Sequence, residues 1–255
     1  MWVKICGISE AEDAQTAVEA GADAIGFIFA PSPRQVGVGK ARRIAAALPA
    51  AAERFGVFVD SGVEEIAAAV EECGLSGVQL HAPADPALPF RLRERLERHH
   101  PAVAMVSVLR CAVGEGAGED EADLDLDLEG FARRSGADAV LVDSFSPRAA
   151  GGTGRRFDWR RARRSFLRAG PSVRLIAAGG LSPENVAQAI QTLQPWGVDV
   201  VSGVERAPGT KDPARIVAFL RAAKAAGEAV GSDARSLRIG LWESGSEEPE
   251  MRKRG

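Results

Sequence analysis

The chain has 255 residues, enough to bury a large core, and its 45% hydrophobic and 26% charged side chains are ordinary for a globular protein. A formal net charge of −3 gives no general attraction to nucleic acid or an anionic membrane. No apolar run reaches the roughly 18–20 residues of a membrane span, and the apolar N-terminal stretch is too short for a signal peptide. The three cysteines, Cys6, Cys73 and Cys111, show no CxxC spacing and cannot all pair, which argues against a disulfide framework or zinc site and points to a cytoplasmic protein.

Short β-branched runs alternate with longer, alanine-rich amphipathic ones. The strand-like runs are Trp2–Cys6, Ala24–Phe29, Phe55–Val59, Gly77–Leu80, Ala102–Leu109, Ala139–Val142, Arg174–Ala177 and Val198–Val201. Most are nearly continuous in apolar residues, as parallel strands buried on both faces are. Helix starts are marked between them. "SEAE" from Ser9 to Glu12 fits a capping box, and "SPEN" and "DPAR" place Ser182 and Asp212 as N-caps with Pro183 and Pro213 at the first helical position. This rhythm predicts a single α/β domain over residues 1–226, a (β/α)8 TIM barrel with parallel strands; an open doubly wound sheet is the alternative.

Two stretches, one acidic and one at the C-terminus, stand apart from the rhythm. Residues 114–130, "GEGAGEDEADLDLDLEG", carry Asp123, Asp125 and Asp127 in the manner of a calcium loop. Its sixth position is Leu128 rather than glycine and its twelfth is Arg134 rather than glutamate, so metal binding is rejected there. Leu124, Leu128 and Phe131 recur at helical spacing, which reads as a loop entering a helix with acids at its N-terminus. "RRARRSFLR" reads as a solvated helix face. Residues 227–255 form a polar tail expected to be disordered.

In such a barrel the chemistry sits at the C-terminal ends of the strands. The first run ends at Cys6, with Lys4 on the same face roughly 7 Å below it. A neighbouring ammonium favours thiolate, so the thiol pKa is expected to fall. The sixth run ends at Asp143, before a glycine-rich stretch, Gly151, Gly152, Thr153 and Gly154, that suits an anion-binding or closing loop. Gly179 and Gly180 follow the seventh run, and Ser202 and Gly203 the eighth. These are the two loops where barrels commonly hold phosphate. Arg34 can offer its planar fork to a carboxylate, and Gln79 and His81 share a face at the end of the fourth run.

Taken in order, "KICGIS", "GADAIGFIFAPSPR", "FGVFVD", "GVQLHA", "LVDS", "GGTGRRFDW", "IAAGGLSPENV" and "VDVVSGVERAPGTKD" resemble the phosphoribosylanthranilate isomerases of tryptophan biosynthesis over about residues 2–224. The resemblance implies an Amadori rearrangement of N-(5-phosphoribosyl)anthranilate to 1-(2-carboxyphenylamino)-1-deoxyribulose 5-phosphate, without metal or organic cofactor. It implies that Cys6 is the general base, Asp143 the general acid and Arg34 the residue that holds the anthranilate carboxylate. Gly180 and Ser202–Gly203 match the phosphate cradle. The partner implied is a small phosphorylated substrate, with a monomer expected and a homodimer the alternative. "KICGIS" has serine where the family usually has threonine, and tyrosine is absent altogether. The rival readings are another phosphate-binding barrel isomerase, of the histidine pathway or with dual activity, and a catalytically idle barrel that binds a phosphate ligand. Histidine-pathway relatives use paired aspartates where this chain has Cys6, and an idle barrel has no reason to keep both Cys6 and Asp143.

Overall fold

A computed structural model describes residues 1–81, 85–112, 125–145, 158–169 and 173–231. Eight strands, β1 (Trp2–Cys6), β2 (Ala24–Ile28), β3 (Glu53–Phe58), β4 (Gly77–His81), β5 (Ala104–Ala112), β6 (Ala139–Phe145), β7 (Arg174–Ala177) and β8 (Gly197–Val200), pair in chain order. β8 returns to lie parallel to β1 from Trp2↔Gly197 to Ile5↔Val200, which closes the barrel and excludes the open sheet. Helices α1 (Ala11–Glu19), α2 (Val38–Ala46), α3 (Val63–Cys73), α4 (Leu88–Leu96), α5 (Leu128–Ser135), α6 (Trp159–Ala169), α7 (Val186–Leu193) and α8 (Pro213–Gly231) alternate with the strands. Past β8 come a 3-10 turn, Ser202–Val204, and a small hairpin of β9 (Glu205–Ala207) and β10 (Thr210–Lys211).

The strands form where both faces are apolar, because one face packs under the helices and the other fills the barrel. Val3, Ile5, Ile25 and Phe27 belong to the outer layer of the core. The inner layer holds Trp2, Ala24, Phe55, Val106, Leu141 and Ile176. At the base of the barrel Trp2 meets Phe55 edge-on at 5.8 Å and stacks near Trp196 at 5.1 Å. Glycines make room for these rings: a Cβ at Gly77 would lie 2.2 Å from Phe55, and one at Gly197 would lie 2.7 Å from Trp2. Each of these glycines is the direct cross-strand partner of the ring it accommodates.

Several local expectations shift. β5 and β6 outrun their apolar runs because they hold each other, through Arg110↔Asp143 to Ala112↔Phe145. Asp143 therefore sits inside β6 rather than closing it. Asp212 caps α8 as expected, accepting from the backbone N–H groups of Ala214 at 2.9 Å and Arg215 at 3.2 Å. Ser9 forms no capping box: Glu10 holds the cap position without a side-chain bond, and the Ser9 hydroxyl donates to the Gly209 carbonyl at 3.3 Å. Ser182 and Pro183 form a turn, and α7 starts only at Val186 because the Asn185 carboxamide folds back to accept from the Ser182 N–H. Asp127 caps α5, accepting from the Gly130 N–H at 2.9 Å. Arginines of α6 line its outer side, while Trp159, Ala162, Ser165, Phe166 and Ala169 are buried at helical spacing. Helix α8 continues through 227–231, past the expected start of the tail. The rest of the tail, residues 113–124 and the Gly151–Gly154 loop lie outside the described residues.

Candidate active site

The mouth of the barrel is built around buried ion pairs. Lys4, only 1% exposed, points inward from β1, donates to Gln79 Oε1 at 2.6 Å and pairs with Asp199 Oδ2 at 3.1 Å. Lys4 and Asp199 are direct register partners, so closing the barrel is what brings them together. Burial opposes the charge on Lys4, but Asp199 and the Cys6 sulfur outweigh it and hold its pKa above the ordinary value. The second oxygen of Asp199, Oδ1, is buried and has no hydrogen-bond partner among the described residues.

Cys6 lies one inward position above Lys4 and is 2% exposed. Its pKa is raised, which corrects the expectation from the sequence. Burial is the largest influence, and Asp199 adds to it against the opposing pull of Lys4 and Lys211. Lys4 does pull toward thiolate, but loss of water around the buried sulfur outweighs it. Cys6 is thus a protonated thiol at neutral pH.

Asp143 is raised to about 6, first by burial and then by Asp199, with Arg110 and Lys4 pulling the other way. Cys6 and Asp143 therefore titrate in the field of the same Lys4–Asp199 pair. Gly179, which follows β7 at φ 81°, presses on the acid: a Cβ there would lie 2.1 Å from Ser144 Oγ and 2.6 Å from Asp143 Oδ1.

Gln79 passes the contact with Lys4 on to His81, its amide nitrogen lying 2.9 Å from His81 Nε2. Burial, with Arg110 and Lys4 nearby, lowers the His81 pKa to about 4, so the ring is neutral and accepts from the amide.

Arg34 is not free to offer its whole fork. Its Nε and Nη2 each donate to Glu205 at 2.8 Å, in the bidentate geometry that guanidinium and carboxylate favour. Lys211, 1% exposed, donates to the same carboxylate at 3.1 Å and to the Val201 carbonyl at 2.9 Å. Although burial alone would raise it, Glu205 is held below its usual pKa by these two cations. The stem of Arg34 lies over Gly7, which follows Cys6 directly: a Cβ at Gly7 would lie 3.1 Å from Arg34 Cδ.

The loops after β7 and β8 touch backbone to backbone, since a Cβ at Gly203 would fall 1.8 Å from the Leu181 carbonyl oxygen. Gly180, at φ 64°, is fixed by its carbonyl accepting from Asn185 Nδ2 at 2.9 Å, and the Gly203 carbonyl accepts from Arg215 Nε at 2.9 Å. The loops that carry Gly179, Gly180, Ser202 and Gly203 are thus neighbours.

The structure therefore gathers Lys4, Cys6, Arg34, Gln79, His81, Asp143 and both glycine loops at one end of the barrel. Asp199, Glu205 and Lys211 complete the cluster and were missed by the sequence reading. Asp199 did carry a signal, a carboxylate within the apolar run "GVDVV", the same kind of anomaly that marked Asp143.

Comparison with known proteins points one way. The family model described as N-(5'phosphoribosyl)anthranilate (PRA) isomerase matches residues 3–108 and 117–222. An N-(5'-phosphoribosyl)anthranilate isomerase from Chlorobaculum parvum is 41% identical over 223 residues, covering 87% of this chain and 94% of the relative. Among solved structures, phosphoribosyl anthranilate isomerase from Thermotoga maritima superposes with a TM-score of 0.73 at 36% identity, over 88% of this chain and 99% of that one. A phosphoribosyl anthranilate isomerase in complex with reduced 1-(o-carboxyphenylamino)-1-deoxyribulose 5-phosphate gives 0.69 at 34% identity, over 88% and 99%.

Proposed function

Since the chain belongs to the phosphoribosylanthranilate isomerase family, we propose that the isomerisation it catalyses in tryptophan biosynthesis is carried by Cys6 as base and Asp143 as acid. The reaction opens a furanose ring and moves a proton. Asp143 protonates the ring oxygen as the bond to C1′ breaks, leaving a protonated Schiff base between C1′ and the anthranilate nitrogen. Cys6 thiolate then takes the C2′ proton, and the electron pair moves to form an enolamine that tautomerises to the ketone.

The observation that carries this reading is the placement of both groups against one Lys4–Asp199 pair. Burial keeps Asp143 able to hold a proton up to about pH 6. Burial also keeps Cys6 a thiol, so between that value and the pH at which the thiol ionises the free enzyme holds one proton on the two groups. The competent form, acid protonated and base ionised, is the minor arrangement of that shared proton. The cationic Schiff base formed in the first step brings positive charge next to the sulfur and favours thiolate when it is needed.

Arg34 supports the anthranilate carboxylate, and Glu205 with Lys211 fixes the plane of its guanidinium. Gly179, Gly180, Ser202 and Gly203 cradle the phosphate, since without large side chains their backbone can approach an anion closely. The neutral His81 and Gln79 steady Lys4 from the facing wall. A monomer suits the surface: the large exposed apolar residues among those described, Phe90, Leu167 and Val217, lie on different helices, α4, α6 and α8. The three cysteines are free and buried, which suits a reducing cytoplasm.

Anthranilate fluorescence, followed as phosphoribosylanthranilate is consumed, tests the assignment. Cys6→Ser and Asp143→Asn are expected to lower kcat by ~10²–10⁴-fold each while changing KM little. Full activity in either variant removes that residue from its role.

A further inference from the structure

We propose that Gly26 is a positioning residue for this isomerisation, the space left by its missing side chain being the seat of the Cys6 sulfur. The inference rests on the reading of Cys6 as the base and adds how that base is aimed.

Cys6 on β1 and Gly26 on β2 are direct register partners. A Cβ built on Gly26 would lie 2.6 Å from Cys6 Sγ, 3.2 Å from its Cβ and 3.3 Å from its Cα. No side chain other than hydrogen fits beside the sulfur as it stands. The backbone does not demand glycine here, because Gly26 lies in regular strand without a positive φ and pairs on both sides. A glycine inside a strand weakens it, and close approach by a neighbour is the usual reason to find one.

The same device occurs twice at the base, where Gly77 makes room for Phe55 and Gly197 for Trp2, again between direct register partners. There the guest is an aromatic ring and the result is a filled core. At the mouth the guest is one polarisable atom, and what is set is its position. The Gly26 carbonyl also accepts from the Ile8 N–H at 2.9 Å, which ties down the turn that follows the cysteine. An alanine at 26 would keep that bond, and the atoms its added methyl group meets first are the sulfur and its stem. Ordinary contact distances would then be regained only by moving the sulfur by about 1 Å, and displacements of that size in a reacting group can cost on the order of 10²-fold in rate.

The experiment is a cycle of wild type, Gly26→Ala, Cys6→Ala and the double variant, with Gly62→Ala as a control, because a Cβ at Gly62 meets nothing within 4 Å. Each is melted and assayed with ordinary substrate and with substrate deuterated at C2′. Gly26→Ala is expected to lower kcat about tenfold or more with KM within about twofold, and to raise the primary isotope effect on kcat, since a misplaced base slows proton abstraction alone. Its melting-temperature loss is expected to fall by about half or more in the Cys6→Ala background, where the sulfur is gone. Wild-type kcat and isotope effect in Gly26→Ala, or an equal melting loss in both backgrounds, overturns the proposal. Should Gly26→Ala fail to fold, a folded double variant supports the seat and an unfolded one overturns it. Full activity in Cys6→Ala defeats the base assignment instead, and the melting cycle still decides whether the sulfur is what Gly26 accommodates.

Discussion

The base and the mouth of this barrel are made from the same eight strands and obey opposite priorities. At the base, Trp2, Phe55 and Trp196 close the interior with rings packed over glycines, and the Trp2 indole finds Glu53 Oε2 at 3.0 Å. Among the described residues, none of the buried charged side chains lies at the base. At the mouth, Lys4, Asp199, Arg34, Glu205 and Lys211 are removed from water in a space that aliphatic residues could fill with no desolvation cost. The difference teaches where stability was given up. The base holds the barrel closed so that the mouth can keep ionisable groups in places where they are unfavourable.

Breaking the base gives the largest expected effect. Phe55→Ala removes a fully buried ring and leaves a cavity, at a cost of about 3–5 kcal/mol read by chemical denaturation. The molecules that stay folded should keep the wild-type KM, and a strongly raised KM would mean that base and mouth are not separable. At the mouth, Arg34→Ala is expected to raise KM by roughly 10–10²-fold with a smaller change in kcat, because it loses a charge-assisted contact to the substrate carboxylate. Steady-state kinetics showing the reverse split would move Arg34 out of carboxylate binding.

Acid–base behaviour sharpens the contrast. The kcat/KM profile is expected to fall about tenfold per pH unit below about 6, where Asp143 and Cys6 are both protonated, and to fall again only above the ordinary thiol range. A basic limb near pH 7 would mean a Cys6 thiol lowered rather than raised. The smallest effect concerns stability. The folded-state pKa of Asp143 is raised, so folding binds its proton more tightly, and ionising it destabilises the native state as pH climbs from the ordinary carboxylate range to about 6. Asp143→Asn should therefore melt higher than wild type at pH 7–8, with the gap closing below about pH 4. A variant inactivated and stabilised together would mark Asp143 as kept for chemistry.

Much of this was legible in the sequence, for reasons that also explain the misses. Continuous apolar runs betray strands buried on two faces, and Cys6 and Asp143 stand out because each interrupts or ends such a run. The helix starts at Ser9 and Ser182 were misjudged because those residues find partners in Gly209 and Asn185, which the local pattern does not rank above a cap. The direction of the Cys6 shift was misread because a one-dimensional view shows Lys4 two residues away and hides Asp199. Arg34 and Glu205 are 171 residues apart and meet only when the hairpin after β8 folds over the loop after β2. Charge pairing across a closed barrel leaves no periodic trace in either segment.

The last described helix reaches back to the start of the chain. Lys224 of α8 donates to the Met1 carbonyl at 3.1 Å and to Asp23 at 2.5 Å, and Gly227 lies so close to Met1 that a methyl group would not fit between them. A gene rearranged so that translation begins at Ala51, in the exposed turn before β3, with a short linker joining the end of α8 to Met1, would encode the same contacts in a different order. The order in which the units are synthesised is thus separable from the shape they make.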